Sequence, residues 1–177
     1  MKLKSILFFV VLVLLVSCKE PQARRPITQS TTNIYEAAVK ENKRLNELEN
    51  KEIEAFIAKD SINNYQVFTK GFWYVYNNKN ETNLPTPKVG DIVTLEYEIT
   101  DLNNSIIYSK EELGIKTYKI DKEDFIPALQ DGLKLMKKGE TITFIIPSYR
   151  AFGISGDGNK IGVNQTLKSK VTLIDIK

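Results

Sequence analysis

The sequence predicts an α+β protein in which antiparallel strands surround one short helix, with a helical arm ahead of them. Three observations carry this. Val93, Leu95, Tyr97 and Ile99 alternate with Thr94, Glu96, Glu98 and Thr100, the pattern of a half-buried antiparallel strand. Ile126, Leu129, Leu133 and Met136 step by three or four, which puts them on one face of a short helix within 125–136. No strand–helix–strand repeat occurs along the chain, which sets aside a parallel sheet.

The chain opens with Lys2 and Lys4, followed by an unbroken apolar run from Ile6 to Val16. That run is shorter than the roughly 20 residues a bilayer span takes. A charged start, a short apolar run and small residues before a cut describe a secretory signal peptide at 1–17. Leu15-Val16-Ser17 leads straight into Cys18, the one cysteine of the chain. This is the arrangement of a bacterial lipobox, with cleavage before Cys18 and lipidation of that residue. An ordinary signal peptide with a chance cysteine is the plainer alternative. Several acyl chains, at roughly 0.8 kcal/mol per buried CH₂, make a lasting anchor. Residues 18–32, with Pro21, Pro26 and Arg24-Arg25, read as a flexible tether.

From Asn33 the pattern turns helical. Ile34, Ala37, Ala38, Leu45, Leu48, Ile53, Phe56 and Ile57 are scattered among Glu, Lys and Asn. Asn33 with Glu36 offers a capping box. The apolar stripe is thin and drifts, so 33–62 is expected as a long exposed helix or two shorter ones rather than a core helix. A spacer, a homodimerisation arm and a client-gripping arm are the roles it suits.

The domain proper is expected over 65–177. Phe68 and Phe72 to Tyr76 are strand-like. A polar loop with Pro85 and Pro87 leads to Gly90-Asp91 and the alternating strand. Asp101 to Ser105 is a turn, and Ile106-Ile107-Tyr108 resumes as a strand. Pro127 suits the first turn of the short helix, and Gly132 within it is a mild cost. Ile142, Phe144 and Ile146 form another strand. Then comes a loop with Gly153, Gly156, Gly158 and Gly162, and a last strand from Leu167 to Ile176.

Composition narrows the chemistry. The 177 residues contain no His, which removes Ser-His-Asp hydrolysis and imidazole metal sites. One Cys removes internal disulfides and cysteine-cluster metal sites. Losing Lys2 and Lys4 with the leader takes the net charge from +3 to +1, without the strongly basic face of a nucleic-acid binder. The glycine-rich loop lacks the Lys-Ser/Thr ending of a P-loop and precedes a strand rather than a helix. Asp121, Glu123 and Asp124 lack a calcium-loop spacing and read as a solvated stretch beside the short helix. Asp157 has no carboxylate partner in the sequence for glycosidase-like work. No metal and no cofactor is expected. What remains is a set of apolar and aromatic residues near loops, which suits work done by an apolar pocket.

Gly71-Phe72-Trp73-Tyr74, Val89-Gly90-Asp91-Ile92-Val93 with Tyr97, and Ile107-Tyr108-Ser109 occur in order. Phe125-Ile126-Pro127-Ala128-Leu129 follows, with Gly132 and Met136. Gly139-Glu140, Ile146-Pro147, Ala151-Phe152-Gly153 and Ile161 with Asn164, Thr166 and Leu167 close the series. In this order and spacing, over about two thirds of the chain, residues 65–177 resemble an FKBP-type prolyl isomerase domain. With the lipobox and the helical lead-in, the whole resembles the gliding-motility-associated prolyl isomerase lipoproteins of Bacteroidetes.

The resemblance implies a twisted antiparallel sheet wrapped on the short helix, with a pocket between them. It places Tyr97, Phe125, Ile126, Leu129 and Phe152 at catalytic pocket positions. It places Ile107, Tyr108, Tyr118 and Ile161 at substrate-binding ones. It also implies that the backbone N–H at Ile126 holds a substrate carbonyl. The sequence departs from the family pattern at four places: Tyr108 where Asp is frequent, Leu129 for a Trp floor, Phe152 for a Tyr, and Ser169 for an aromatic. The function implied is a lipid-anchored prolyl isomerase of the cell envelope, acting on Xaa-Pro polypeptides. Lys19 beside the anchor favours the outer membrane, facing the periplasm. A non-catalytic peptide-binding or scaffold lipoprotein is the alternative.

Overall fold

The computed structural model describes residues 31–177. The expected leader, Cys18 and the tether as far as residue 30 lie outside them. Among the described residues, no helix is long and apolar enough to cross a membrane.

Helix α1 spans Thr31–Lys59 as one element. Asn33 lies inside it rather than capping its start. Two short strands, β1 (Gln66–Phe68) and β2 (Phe72–Asn78), form a hairpin. The long strand β3 (Ile92–Thr100) buries Val93, Leu95, Tyr97 and Ile99, as its alternation requires. Strand β4 is Ile106–Tyr108. A single helical turn, α2 (Lys110–Leu113), and strand β5 (Lys116–Lys119) follow, neither of them expected. Helix α3 (Pro127–Leu133) is the short central helix, with Pro127 in its first turn and Ile126 before it. Strand β6 (Thr141–Ile146), a 3₁₀ turn at Ser148–Arg150 and strand β7 (Leu167–Ile176) complete the chain.

All strand pairs are antiparallel. The sheet order is β1-β2-β6-β7-β3-β4, with β5 also paired to β3. Ile126, Leu129, Leu133 and Met136 are all buried, so the face read from their spacing is the face that meets the sheet. Ile142, Phe144 and Ile146 form strand β6 as expected, and Thr143 and Ile145 between them are buried as well. The reason is a second cover: Ile53 of α1 packs with Trp73 and Ile145. The thin stripe of α1 thus includes one fully buried residue, and the helix is not exposed along its whole length.

Gly132 has a use that its propensity conceals. A Cβ there would lie 2.6 and 2.8 Å from ring carbons of Phe144, a fully buried side chain of β6. The missing side chain is what lets α3 approach the sheet. Gly132→Ala is expected to destabilise, although alanine favours helix by about 1 kcal/mol. Overpacking of this kind costs about 1–3 kcal/mol. A denaturation midpoint at or above wild type would refute the close approach.

Candidate functional site

The end of β3, the turn α2, the start of α3 and the loop after β6 surround an open cavity of about 620 Å³. Tyr97 and Ile99 come from β3, Phe125 and Ile126 from the approach to α3, and Phe152 and Ile161 from the loop. Tyr108, Leu113 and Pro127 add wall, and Asp124 and Asp157 are its charged residues. The surface is mainly apolar, and among the described residues no cation lines it.

The aromatic rings hold one another in place. Phe125 meets the Tyr97 ring edge-on, with centroids 5.5 Å apart. It stacks on Tyr118 at 5.1 Å. Such pairs favour these two geometries because a ring's edge is positive and its face negative. Burial alone raises the Tyr97 phenol above its ordinary pKa, so it stays a neutral hydroxyl. The Phe125 carbonyl accepts from the Gln130 side chain at 2.9 Å, which fixes the turn entering α3. Ile126 has non-helical angles, and its carbonyl accepts the first helical hydrogen bond, from Gln130. Its own N–H donates to no group among the described residues.

Of the residues singled out from sequence, Tyr97, Tyr108, Phe125, Ile126, Phe152 and Ile161 line this one cavity. Three do not. Leu129 is fully buried in the core, so it backs the site rather than flooring it. Tyr118 is buried and acts on the cavity through its stacking on Phe125. Ile107 is half-buried and packs against the core. Ser169 is fully buried on β7, where its hydroxyl donates to the Glu98 carbonyl at 2.9 Å.

Asp157 was missed as a site residue. Its Oδ2 accepts from the Tyr108 hydroxyl at 2.5 Å. Its Oδ1 accepts from the N–H groups of Asn159 and Ile161, both at 2.8 Å. Tyr108 stands where the family often has an aspartate. A carboxylate nevertheless reaches the cavity, from the glycine-rich loop and with Tyr108 as its donor. Gly156 makes this loop turn: its φ is +65°, and a Cβ would fall 2.4 Å from the Ile161 carbonyl oxygen. Leu113 on α2 was missed too. The pattern Ser109-x-x-Glu112 is the cue that would have found its turn, a capping signature in which the Ser109 hydroxyl accepts from the Glu112 N–H.

Burial works against the Asp157 charge, but the Tyr108 hydroxyl and the two N–H groups outweigh it. The carboxyl is held below the ordinary aspartate value. A depressed folded pKa stabilises above the unfolded value, near 4. That stabilisation is lost as pH falls through the folded value. Amide protection in 157–161, taken as exchange relative to the intrinsic rate at each pH, is expected to fall on acidification below the ordinary aspartate value. Asp157→Asn should exchange fast at neutral pH and lose that acid-side step. A step of unchanged size in the variant would assign it to another group.

The comparisons with known proteins agree with this geometry. The family model described as FKBP-type peptidyl-prolyl cis-trans isomerase matches residues 84–174. The chain is 31% identical over 166 residues, 91% of its length, to the probable FKBP-type peptidyl-prolyl cis-trans isomerase FkpA of Neisseria meningitidis. It is 34% identical over 91 residues, 51% of its length, to the outer membrane protein MIP of Legionella longbeachae. It spans 58% and 39% of the length of those two relatives. The crystal structure of FkpA from Escherichia coli superposes with a TM-score of 0.62 at 26% identity, covering 98% of this chain and 82% of that one. A Pseudomonas syringae peptidyl-prolyl cis-trans isomerase shares the fold, with a TM-score of 0.59 at 20% identity, over 74% of this chain and 95% of that one. With the family model matched over half of the sequence and its elements assembled round one apolar cavity, the chain belongs to the FKBP-type peptidyl-prolyl cis-trans isomerase family.

Proposed function

We propose that the protein is a peptidyl-prolyl cis-trans isomerase of the cell envelope, anchored by lipid on Cys18 and acting on exported polypeptides, gliding-motility components among them. The observation that carries the catalytic reading is the apolar, aromatic-walled cavity. Resonance holds a peptide bond planar against a barrier of roughly 18–20 kcal/mol. An Xaa-Pro bond therefore turns over in tens to hundreds of seconds unaided. The planar amide is the more charge-separated form, and a twisted amide has lost that resonance. A mainly apolar wall favours the twisted form over the ground state, which is differential binding. No nucleophile or proton transfer is required, in keeping with a chain without His.

Each wall has a part in this reading. Tyr97, Phe125, Phe152 and Ile161 enclose the proline ring. The Ile126 N–H, which donates to no group among the described residues, holds the substrate carbonyl. Tyr108 and Asp157 close one side of the mouth. Lys19 favours the outer membrane as the anchored surface.

The test is the cis-to-trans rate of short Xaa-Pro peptides, with Xaa varied, in the presence of protein beginning after Cys18. Acceleration that saturates with substrate is expected. A folded, monodisperse sample that leaves the rate at its uncatalysed value would replace the enzyme by a peptide-binding module. Anchoring is tested separately: Cys18→Ala should leave the precursor uncleaved or release the protein from membranes. Unchanged membrane attachment of the variant would remove the lipid from the account.

A further inference from the structure

We propose that Glu49, on helix α1, is a positioning residue that latches the loop between β6 and β7, so that the helix sets the geometry of the cavity's Phe152 and Ile161 wall. The consequence for catalysis rests on the isomerase reading above; the latch itself does not.

The loop leaves the sheet after Ile146 and rejoins it at Leu167, which are paired across β6 and β7. Just past this pair, one carboxylate joins the two sides of the neck. Glu49 Oε1 accepts from the Ser148 N–H at 2.6 Å and from the Thr166 hydroxyl at 2.5 Å. Oε2 accepts from the Ser148 hydroxyl at 2.8 Å. Hydrogen bonds to an ionised carboxylate are roughly twice as strong as neutral ones. The next residue of the helix, Asn50, accepts from the Tyr149 hydroxyl at 2.9 Å.

From Ser148 the connection runs on to the cavity. The Ser148 carbonyl accepts from the N–H groups of Ala151 and Gly153, at 2.9 and 2.8 Å. These are the two residues flanking Phe152. The Gly153 carbonyl in turn accepts from the Asn164 N–H at 2.8 Å, closing the loop two residues before Thr166. Ser148 is buried, and a buried donor left without its acceptor is costly. Among the described residues, all three donors to Glu49 belong to the loop, and none to its own helix. The carboxylate therefore makes its hydrogen bonds across elements rather than within the helix. It couples the helix to the cavity wall.

The test uses the full chain in detergent, with Glu49→Ala, Glu49→Gln and Ile53→Val. Peptide-resolved amide exchange reads the loop, and kcat/KM for an Xaa-Pro peptide reads the cavity. Emission of Trp73, the chain's single tryptophan and a packing partner of Ile53, reports whether α1 stays docked. Glu49→Ala should raise exchange across 148–166 by about tenfold or more. It should lower kcat/KM by about fivefold with Trp73 emission unchanged. Glu49→Gln should keep both near wild type, because its amide oxygen accepts where Oε1 does and its N–H₂ donates to the Ser148 hydroxyl. Ile53→Val, which loosens helix packing without touching the carboxylate, should leave loop exchange within about twofold. Loop exchange in Glu49→Ala indistinguishable from wild type would overturn the latch. Faster exchange with an unchanged rate would overturn its link to the cavity. If wild-type protein does not isomerise peptides, the isomerase reading falls, and the exchange arm still decides the latch.

Discussion

Phe152→Ala is expected to lower kcat/KM toward Xaa-Pro peptides by about tenfold or more, which is about 1.4 kcal/mol of transition-state stabilisation. Phe152 lines the cavity from the loop side and is only partly buried. Truncation therefore opens the cavity to water without emptying the core, and the fold should persist. The loss should fall on kcat as well as KM, because a wetter cavity stabilises the charge-separated planar amide relative to the twisted one. Phe152→Tyr is the complementary change. It adds a hydroxyl at the cavity, and the net value of one ligand hydrogen bond is about 0.5–1.5 kcal/mol. A Phe152→Ala protein that melts like wild type and isomerises at the wild-type rate would move the active surface elsewhere.

Ile53→Ala should cost about 2–5 kcal/mol of stability, the range for truncating a fully buried aliphatic side chain. Ile53 has no exposed surface and sits between Trp73 of β2 and Ile145 of β6. The void would open on the sheet face away from α3, so the main core should stay packed. Trp73 emission should shift to longer wavelength, and the urea midpoint should fall with little change in slope. Against a total stability of about 5–15 kcal/mol this is a large share. A cost under about 1 kcal/mol would be a surface-like value, and residues 39–59 would then not belong to the cooperative unit.

Much of the fold was legible because it is written in local periodicity. The alternation through Val93, Leu95, Tyr97 and Ile99 and the three-and-four stepping from Ile126 to Met136 each survive in the folded chain. Six of the nine pocket residues named from sequence line one cavity. Leu129, Tyr118 and Ile107 do not, because sequence position cannot separate a side chain that forms a wall from one that packs behind it. The turn α2 and the strand β5 were overlooked because α2 (Lys-Glu-Glu-Leu) buries no residue and β5 buries only Tyr118 among polar neighbours, so neither carries an apolar pattern like that of Ile106-Ile107-Tyr108.

The sequence by itself determined the fold class, the alternating faces of β3 and the central helix, because alternation and turn chemistry act between residues near one another in the chain, and the order and spacing of its motifs carried the resemblance to the family. Only the tertiary structure decided the rest. Gly132 reads as a weak helix residue until Phe144 is seen against it. Asp157 reads as an isolated loop carboxylate until the Tyr108 hydroxyl meets it. Glu49 reads as one solvated charge among many on a polar helix until Ser148 and Thr166 converge on it. In each case the deciding partner comes from a different element, brought to hydrogen-bonding or van der Waals distance by the register of the sheet and the burial of apolar faces. Local pattern carries no term for that approach, since a side chain's use depends on what packing places opposite it.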